Sequence, residues 1–291
     1  MKKGYLYAAI AILCWSTVAP ATKMLVTELP NMQVLFICSA IATVTLLLFN
    51  LQQKNLHILK GYTARDFAIQ AGLGALGIFA YTAFYNFGLQ RLSAQDANII
   101  NYLWPIMIIL FSIPILKEKF TLKKMAAVFL SFFGLVVIVT RGSFGNIEMG
   151  SFAGIAACVA AAVCFGLFSA LNKKTGYNQF IGMMIFFAVS ALFSGIALLP
   201  GGELRPLSAG QIGGLVWVGV ATYAVAYLAW ALALKGGDTA KISNLAYMVP
   251  FLNIIFSVIL LGENVYVYSV VGLMFIVVGI LLQSMALLKR R

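Results

Sequence analysis

A chain of 291 residues with 62% hydrophobic residues, 10% charged residues and a mean hydropathy of +0.98 carries more apolar surface than a soluble core of that length can bury. The composition argues against a soluble protein and predicts an integral membrane protein. A net charge of +12 would suit a nucleic-acid partner, but the positions of the basic residues, described below, indicate a membrane orientation signal instead.

Apolar stretches of about 19–25 residues follow one another along the chain, and each is long enough for a helix to cross a hydrocarbon layer of about 30 Å. The connections between them are short and leave no room for a soluble domain. We predict ten spans, numbered in chain order, at about residues 4–24, 31–50, 66–89, 94–116, 122–140, 151–172, 177–199, 209–234, 239–261 and 266–288.

A run of about fifty residues repeats itself, without a gap, at a constant offset of 145 residues. Matched pairs are Tyr102 with Tyr247, Pro105 with Pro250, Ser112 with Ser257, and Glu118 with Glu263. Each copy holds five predicted spans, and an odd number reverses the direction in which the second copy enters the bilayer. We therefore predict an all-α integral membrane protein with two inverted five-helix repeats, at 1–143 and 144–291. Such repeats are typical of secondary transporters, whose substrate site lies at the repeat interface.

The 20 Lys and Arg residues concentrate in alternate connections. If the N-terminus is cytoplasmic, only Lys23, Arg91, Arg141 and Arg205 lie on the outer side, which leaves 16 of the 20 on the inner side. By the positive-inside rule, both termini are then cytoplasmic. We interpret the N-terminal segment as span 1 rather than a signal peptide, because its pattern recurs at an offset of 150, where Lys23 matches Lys173.

Polar side chains recur at helical spacing in the middle of spans 4 and 9, where hydrocarbon would penalise them unless they face a cavity or another helix. Each stripe contains a proline, which removes a backbone donor and predicts a kink or hinge. The alternative is a kink satisfied by neighbouring helices. The stripes are Asn98, Asn101, Tyr102, Pro105 and Ser112 in span 4, and Ser243, Tyr247, Pro250 and Ser257 in span 9.

Spans 3 and 8 carry aromatic side chains well inside the predicted membrane, whereas interfacial aromatic belts lie at span ends. Core packing is the simpler explanation for any single one of them. As a set they predict a cavity suited to a ring-bearing or amphipathic solute. The set comprises Tyr81, Tyr85, Tyr223, Tyr227 and Trp230, together with Trp15 and Trp104.

Acidic residues occur only in connections and near span ends, so the mid-membrane carboxylate typical of proton relays is missing and the coupling mechanism stays open. Ser93 to Asp96 fits a helix capping box at the start of span 4. The alternative for Asp96 is a gate, since its repeat equivalent is Lys241, of opposite charge. We interpret Glu118 and Glu263 as solvated charges in connections.

Two strings resemble the ten-helix, EamA-type branch of the drug/metabolite transporter superfamily, in particular its bacterial aromatic amino acid exporters. They are Cys14-Trp15-Ser16-Thr17 and Asn101-Tyr102-Leu103-Trp104-Pro105. The resemblance implies a bacterial inner-membrane protein with a basket-like helix bundle around a central cavity. It implies as lining residues Trp15, Tyr81, Tyr85, Asn101, Trp104, Phe165, Tyr227 and Trp230.

These observations together predict a secondary transporter that exports small metabolites, with aromatic or other apolar amino acids as the expected substrates, by alternating access. The alternatives are transport of drugs, sugars or nucleotide-like metabolites by the same fold, and a passive channel. No metalloprotease motif or nucleophile with a base is present, so an enzyme is not expected. The expected partners are a small-molecule substrate and the lipid bilayer, without cofactor, metal or nucleic acid, and the oligomeric state stays open.

Overall fold

The structure, a computed structural model, describes residues 2–117, short runs and single positions between 126 and 140, and residues 149–199, 204–236 and 248–288. Predicted span 5 is therefore described only in part. The N-terminal part of predicted span 9, at 239–247, lies outside the described residues.

The described chain is all-helical, and several of its spans are made of more than one helix. A 3₁₀ helix occupies Asn55–Gly61, and π-helical segments occupy Ala75–Ala80 and Trp217–Val225. The α-helices are α1 (Lys2–Ser16), α2 (Val18–Val26), α3 (Asn31–Gln52), α4 (Ala64–Gly74), α5 (Tyr81–Leu89), α6 (Ala94–Asn101), α7 (Trp104–Leu116), α8 (Met149–Thr175), α9 (Gln179–Leu198), α10 (Ala209–Val216), α11 (Ala226–Gly236), α12 (Met248–Leu261) and α13 (Val267–Leu288).

Seven helical stretches within the described residues are long and apolar enough to cross a membrane. Two shorter apolar helices, Met248–Leu261 and Val267–Gly279, follow them. Large apolar side chains such as Leu48, 61% exposed, and Ile259, 69% exposed, cover the outside of the bundle. Lipid is the environment in which such a surface is favourable, and the chain is a multi-pass membrane protein. The stretches lie at Gly4–Val26, Asn31–Gln52, Ala64–Leu89, Ala94–Leu116, Phe152–Thr175, Gln179–Leu198 and Ala209–Trp230.

The first span is interrupted between α1 and α2, a break that the hydropathy of the sequence does not reveal. Pro20 lacks an N–H, so it cannot donate to the carbonyl of Ser16 four residues earlier. Asn253 of α12 donates to that carbonyl instead, from its side-chain Nδ2 at 3.1 Å. Because Asn253 is fully buried, this bond joins the break in the first span to the interior of α12.

Spans 3 and 8 share two local features at positions related by the offset of 145. Both begin with a capping box, formed by Thr63 with Asp66 and by Ser208 with Gln211. Both change to π-helical geometry near the middle. Single π turns within helices are uncommon and occur frequently at functional sites.

The helix packing also follows the repeat. The most extensive contact among the described helices is that of α3 with α9, which are repeat equivalents, and there the hydroxyls of Ser39 and Ser190 are 2.9 Å apart. The N-terminal helix α1 packs along α11, and α8 packs along α5. These two pairs correspond to each other, since α1 matches α8 and α5 matches α11 in the repeat.

Two sets of contacts mark the opposite ends of span 3. At the first, the Tyr177 end, the Tyr177 hydroxyl donates to the carboxylate of Asp66 at 2.6 Å. This hydrogen bond raises the pKa of Tyr177 above its ordinary value. At the second, the Lys23 end, the Lys23 ammonium donates to the carbonyls of Leu89, at 2.7 Å, and Leu92. The 26 residues of Ala64–Leu89 separate the two ends by about 39 Å.

Candidate functional site

A cavity of about 470 Å³ lies inside the bundle, bordered by both halves of the chain. Its size is within the range of small-molecule sites. Aromatic and amide side chains dominate the wall. The lining residues are Trp15, Val18, Thr22, Ile78, Tyr81, Thr82, Tyr85, Asn86, Asn98, Asn101, Tyr102, Trp104, Ile108, Phe165, Phe168, Ser169, Asn172, Lys173, Gln179, Met183, Phe187, Thr222, Tyr223, Tyr227, Trp230 and Val249.

One aromatic wall is built around Trp15 of α1. Its ring meets Tyr227 edge-on at 5.4 Å between centroids and lies 5.5 Å from Trp230. Phe187 of α9 extends the wall, 5.6 Å from Tyr227 and stacked on Tyr223 at 5.2 Å. These separations are those of favourable aromatic pairs. The wall therefore joins helices of both repeats through ring contacts.

A second aromatic wall is built around Phe165 of α8. Its ring lies 5.0 Å from Tyr81 and 5.4 Å from Trp104. Tyr85 stacks parallel to Tyr81 at 6.1 Å, and Tyr102 contacts Trp104 edge-on at 5.9 Å. Phe165 is the repeat equivalent of Trp15, so equivalent positions on α1 and α8 organise the two walls.

Amide side chains of α6 lie beside the second wall. Asn101 donates from Nδ2 to the Tyr81 hydroxyl at 3.1 Å, and the Tyr85 hydroxyl donates to Asn98 Oδ1 at 3.5 Å. The remaining amide atoms, Asn98 Nδ2 and Asn101 Oδ1, are buried and make no hydrogen bond to the described residues. A polar group inside the cavity can satisfy them.

Helix irregularities bring these side chains into the cavity. The first π segment ends immediately before Tyr81, and the second ends two residues before Tyr227. Span 4 is interrupted at Tyr102 and Leu103, between α6 and α7 and two residues ahead of Pro105. A change in helix geometry therefore lies beside Tyr81, Tyr102 and Tyr227.

The structure brings eleven of the predicted substrate-binding residues to the lining of one cavity. Pro250 is buried in α12 next to the lining residue Val249. Ser243, Tyr247 and the gate candidate Lys241 lie outside the described residues. The eleven are Trp15, Tyr81, Tyr85, Asn98, Asn101, Tyr102, Trp104, Phe165, Tyr223, Tyr227 and Trp230.

Asp96 lies away from the cavity wall. The N-cap bond of the predicted capping box is present, with the Ser93 hydroxyl accepting from the Asp96 N–H at 2.9 Å. The Asp96 carboxylate, however, accepts from the hydroxyl of Ser269 on α13 at 2.6 Å. The side chain therefore ties α6 to α13, in addition to its place in the first turn of α6.

The interpretation of Glu263 as a solvated charge is wrong. Its carboxylate accepts hydrogen bonds from the backbone N–H groups of Ala94 at 2.7 Å and Gln95 at 3.2 Å. The N–H groups at the N-terminus of a helix have no partner within that helix, and negative charge is favourable there. Glu263 also lies close enough to Lys23 for electrostatic attraction. The sequence shows the charge but not the helix end that it meets.

Several cavity residues were not predicted as site residues. Thr22 and Asn86 border the cavity from α2 and α5, and both are almost completely buried. Lys173 borders it near the end of α8, where Asn172 donates to Gln179 Oε1 at 3.0 Å. Asn86 directly follows Tyr85 in span 3, so its polarity was an available signal. The position of Thr22, by contrast, depends on the break in the first span.

The fold and the cavity define a membrane transporter, since helical repeats around an internal polar and aromatic site are typical of that class. The model of the EamA-like transporter family matches residues 2–140 and again residues 152–285. The chain belongs to this family, a branch of the drug/metabolite transporter superfamily, whose members are transporters rather than enzymes.

Relatives of this chain are similar at low identity. An uncharacterized transporter of Clostridium kluyveri is 26% identical, with 96% of this chain and 92% of that protein covered. The aromatic amino acid exporter YddG of Ancylobacter novellus is 25% identical over 65% of each chain. A probable terminal-alkyne amino-acid exporter of Streptantibioticus cattleyicolor is 25% identical, over 78% and 76% of the two chains. A crystal structure that is 21% identical shares the fold, with a TM-score of 0.72 and 98% of each chain covered.

Proposed function

We propose that this protein exports amino acids with aromatic or other apolar side chains from the cytoplasm by alternating access. The observation that carries the proposal is the cavity that combines two aromatic walls with buried amides. Aromatic rings offer contact area for an apolar side chain. Amide groups can donate to a carboxylate and accept from an ammonium group, as a zwitterion requires. The names of two relatives, both exporters of amino acids, point to the same class of substrate.

The charge of the cavity wall supports a solute without net charge. Among the described lining residues only Lys173 is charged, and none is acidic. A lipophilic cation would leave its charge uncompensated on such a wall, which is costly away from water. Drugs, sugars and nucleotide-like metabolites remain the alternative substrates to be tested as competitors.

We also propose that the fold has ten spans in two inverted repeats, at 1–143 and 144–291. The contacts at the two ends of span 3 support inversion. Span 1 ends at the Lys23 end, beside Leu89, whereas the equivalent α8 ends at the Tyr177 end, beside Asp66. Equivalent helices that end on opposite sides run in opposite directions. In a bacterial inner membrane with both termini in the cytoplasm, the Tyr177 end is cytoplasmic.

Flux through proteoliposomes containing the purified full-length protein tests the proposal. We expect saturable uptake of radiolabelled phenylalanine or tryptophan that unlabelled aromatic amino acids inhibit. A pH gradient, imposed or abolished, separates facilitated export from proton coupling. Flux of drugs or sugars without amino acid flux would contradict the proposed substrate, and non-saturable flux would indicate a channel.

The same assay tests the assigned amides. Asn101→Ala removes the donor to Tyr81 and an amide oxygen on the cavity, and we expect about tenfold lower flux with unchanged membrane insertion. Asn264→Ala is the matched control, since the Asn264 side chain is exposed in the connection after α12. Equal flux in both variants would remove Asn101 from the site.

A further inference from the structure

Asn86 is the most unusual polar residue of the cavity wall. It lies on α5, its side chain is fully buried, and it borders the cavity. Neither its Nδ2 nor its Oδ1 bonds to any residue within the described part of the chain. A buried amide without partners costs free energy at both atoms. A ligand in the cavity that supplies an acceptor and a donor would remove that cost.

Two further groups extend the polar surface around Asn86. Thr22 of α2 is 1% exposed, and its hydroxyl has no hydrogen-bond partner among the described residues. Asn98 of α6 is 4% exposed; its Oδ1 accepts from the Tyr85 hydroxyl, and its Nδ2 has no partner among the described residues. Three different helices thus contribute unpaired polar atoms to one cavity.

The chemistry of these atoms indicates which polar groups of a substrate, together called its head group, they can bind. Asn86 and Asn98 each supply an N–H donor, Asn86 Oδ1 supplies an acceptor, and the Thr22 hydroxyl supplies either. A carboxylate needs donors and an ammonium needs acceptors, and the three residues together carry no charge. We propose that Thr22, Asn86 and Asn98 bind the α-amino and α-carboxylate groups of the substrate. Its apolar side chain then lies between the two aromatic walls.

The head-group site lies near the Lys23 end of the bundle. Thr22 directly precedes Lys23 in α2, and Asn86 lies one turn before Leu89, whose carbonyl accepts from the Lys23 ammonium. A head group bound to Thr22 and Asn86 therefore bridges α2 and α5, the two helices that the Lys23 ammonium also joins. The side chain extends from there towards the interior of the cavity.

This inference rests on the proposed function, and a set of competitors separates the two. The probes are phenylalanine, phenethylamine without the carboxylate, and 3-phenylpropionate without the amine, each competing with radiolabelled phenylalanine flux in proteoliposomes. A site built to hydrogen-bond a group discriminates strongly against analogues that lack it. We expect the wild-type protein to bind phenylalanine at least tenfold more tightly than either analogue.

Thr22→Val and Asn86→Leu remove the polar atoms at nearly constant side-chain volume. We expect each variant to bind phenylalanine about tenfold more weakly, because a hydrogen bond to the head group is lost. Affinity for the analogues should change less. The ratio of the affinity for phenylalanine to the affinity for each analogue should therefore fall. Thr140→Val is the matched control: Thr140 is buried, but its hydroxyl already donates to the Val136 carbonyl at 2.9 Å, and it does not border the cavity.

The outcomes are distinct. Absence of amino acid flux in the wild-type protein would overturn the proposed function, and the head-group site with it. Wild-type flux together with an unchanged preference in Thr22→Val would overturn the head-group site alone. The nearly isosteric Thr22→Val decides the question if Asn86→Leu does not fold. A loss of phenylalanine affinity in Thr140→Val equal to that in Thr22→Val would show a structural effect and likewise overturn the assignment.

Discussion

Tyr81 combines apolar and polar contacts in one side chain. Its ring packs between Tyr85 and Phe165, and its hydroxyl accepts from Asn101 Nδ2 at 3.1 Å. The hydroxyl thereby fixes the amide orientation, so that Asn101 Oδ1 is the atom left for a solute. A residue identified by its aromatic ring therefore also positions a polar group.

Tyr81→Phe should lower amino acid flux about tenfold, because Asn101 Nδ2 loses its acceptor while ring packing is kept. Proteoliposome flux measures the effect. Tyr5→Phe is the control, since Tyr5 is 41% exposed on the bundle surface. Unchanged flux in Tyr81→Phe would show that the orientation of Asn101 is set by other contacts.

At the scale of the elements, the two π segments are the features that distinguish spans 3 and 8. In the first of them, Gly77 lies against the ring of Phe168, a cavity residue of α8. A Cβ atom built on Gly77 would lie 2.1 Å from Phe168 Cγ, far inside van der Waals contact. The absence of a side chain at residue 77 therefore permits the close approach of span 3 to α8.

Gly77→Ala should destabilise the protein by about 1–3 kcal/mol, because the ring of Phe168 has to move within a packed interior. Gly72→Ala on the preceding helix α4 is the matched control: no atom lies within 4 Å of the added Cβ. There, higher helix propensity should leave stability equal or slightly increased. Thermal unfolding of the purified proteins compares them, and equal stability would refute the packing role of Gly77.

At the scale of the whole molecule, the contacts at the two ends come from different helices of the two halves. Tyr177, after α8, reaches the start of span 3, and Glu28, after α2, accepts from Gln211 at the start of span 8 at 2.6 Å. Asp66 and Gln211 are repeat equivalents. The two halves of the chain are therefore joined by two hydrogen bonds at equivalent positions of the repeat.

Inverted repeats require equivalent connections to face opposite sides of the membrane. His57→Cys, between α3 and α4, should react with an impermeant thiol reagent only from the cytoplasmic side. Leu204→Cys, before α10, should react only from the outer side; Leu204 is 65% exposed. Native Cys14, Cys38, Cys158 and Cys164 are replaced first. Labelling of both positions from the same side would contradict inversion.

Much of the cavity was predictable because its signal is local. Tyr223, Tyr227 and Trp230 follow helical spacing, and apolar length alone indicates membrane spans. Pro105 is likewise a local indication of the break between α6 and α7. By contrast, Pro20 alone does not predict the break at Thr17. A proline does not show which residue will donate to the freed carbonyl, here that of Ser16.

The sequence by itself determined the class of protein, the duplication and the aromatic composition of the site, since hydropathy, periodicity and repeat offset are properties of the chain. Only the tertiary structure decided that Glu263 meets the start of α6, that Lys23 holds the end of α5, and that Asn86 has unpaired amide atoms. The physical reason is that a hydrogen bond depends on position to within a fraction of an ångström. These partners come from helices far apart in the chain, and their packing alone sets those positions.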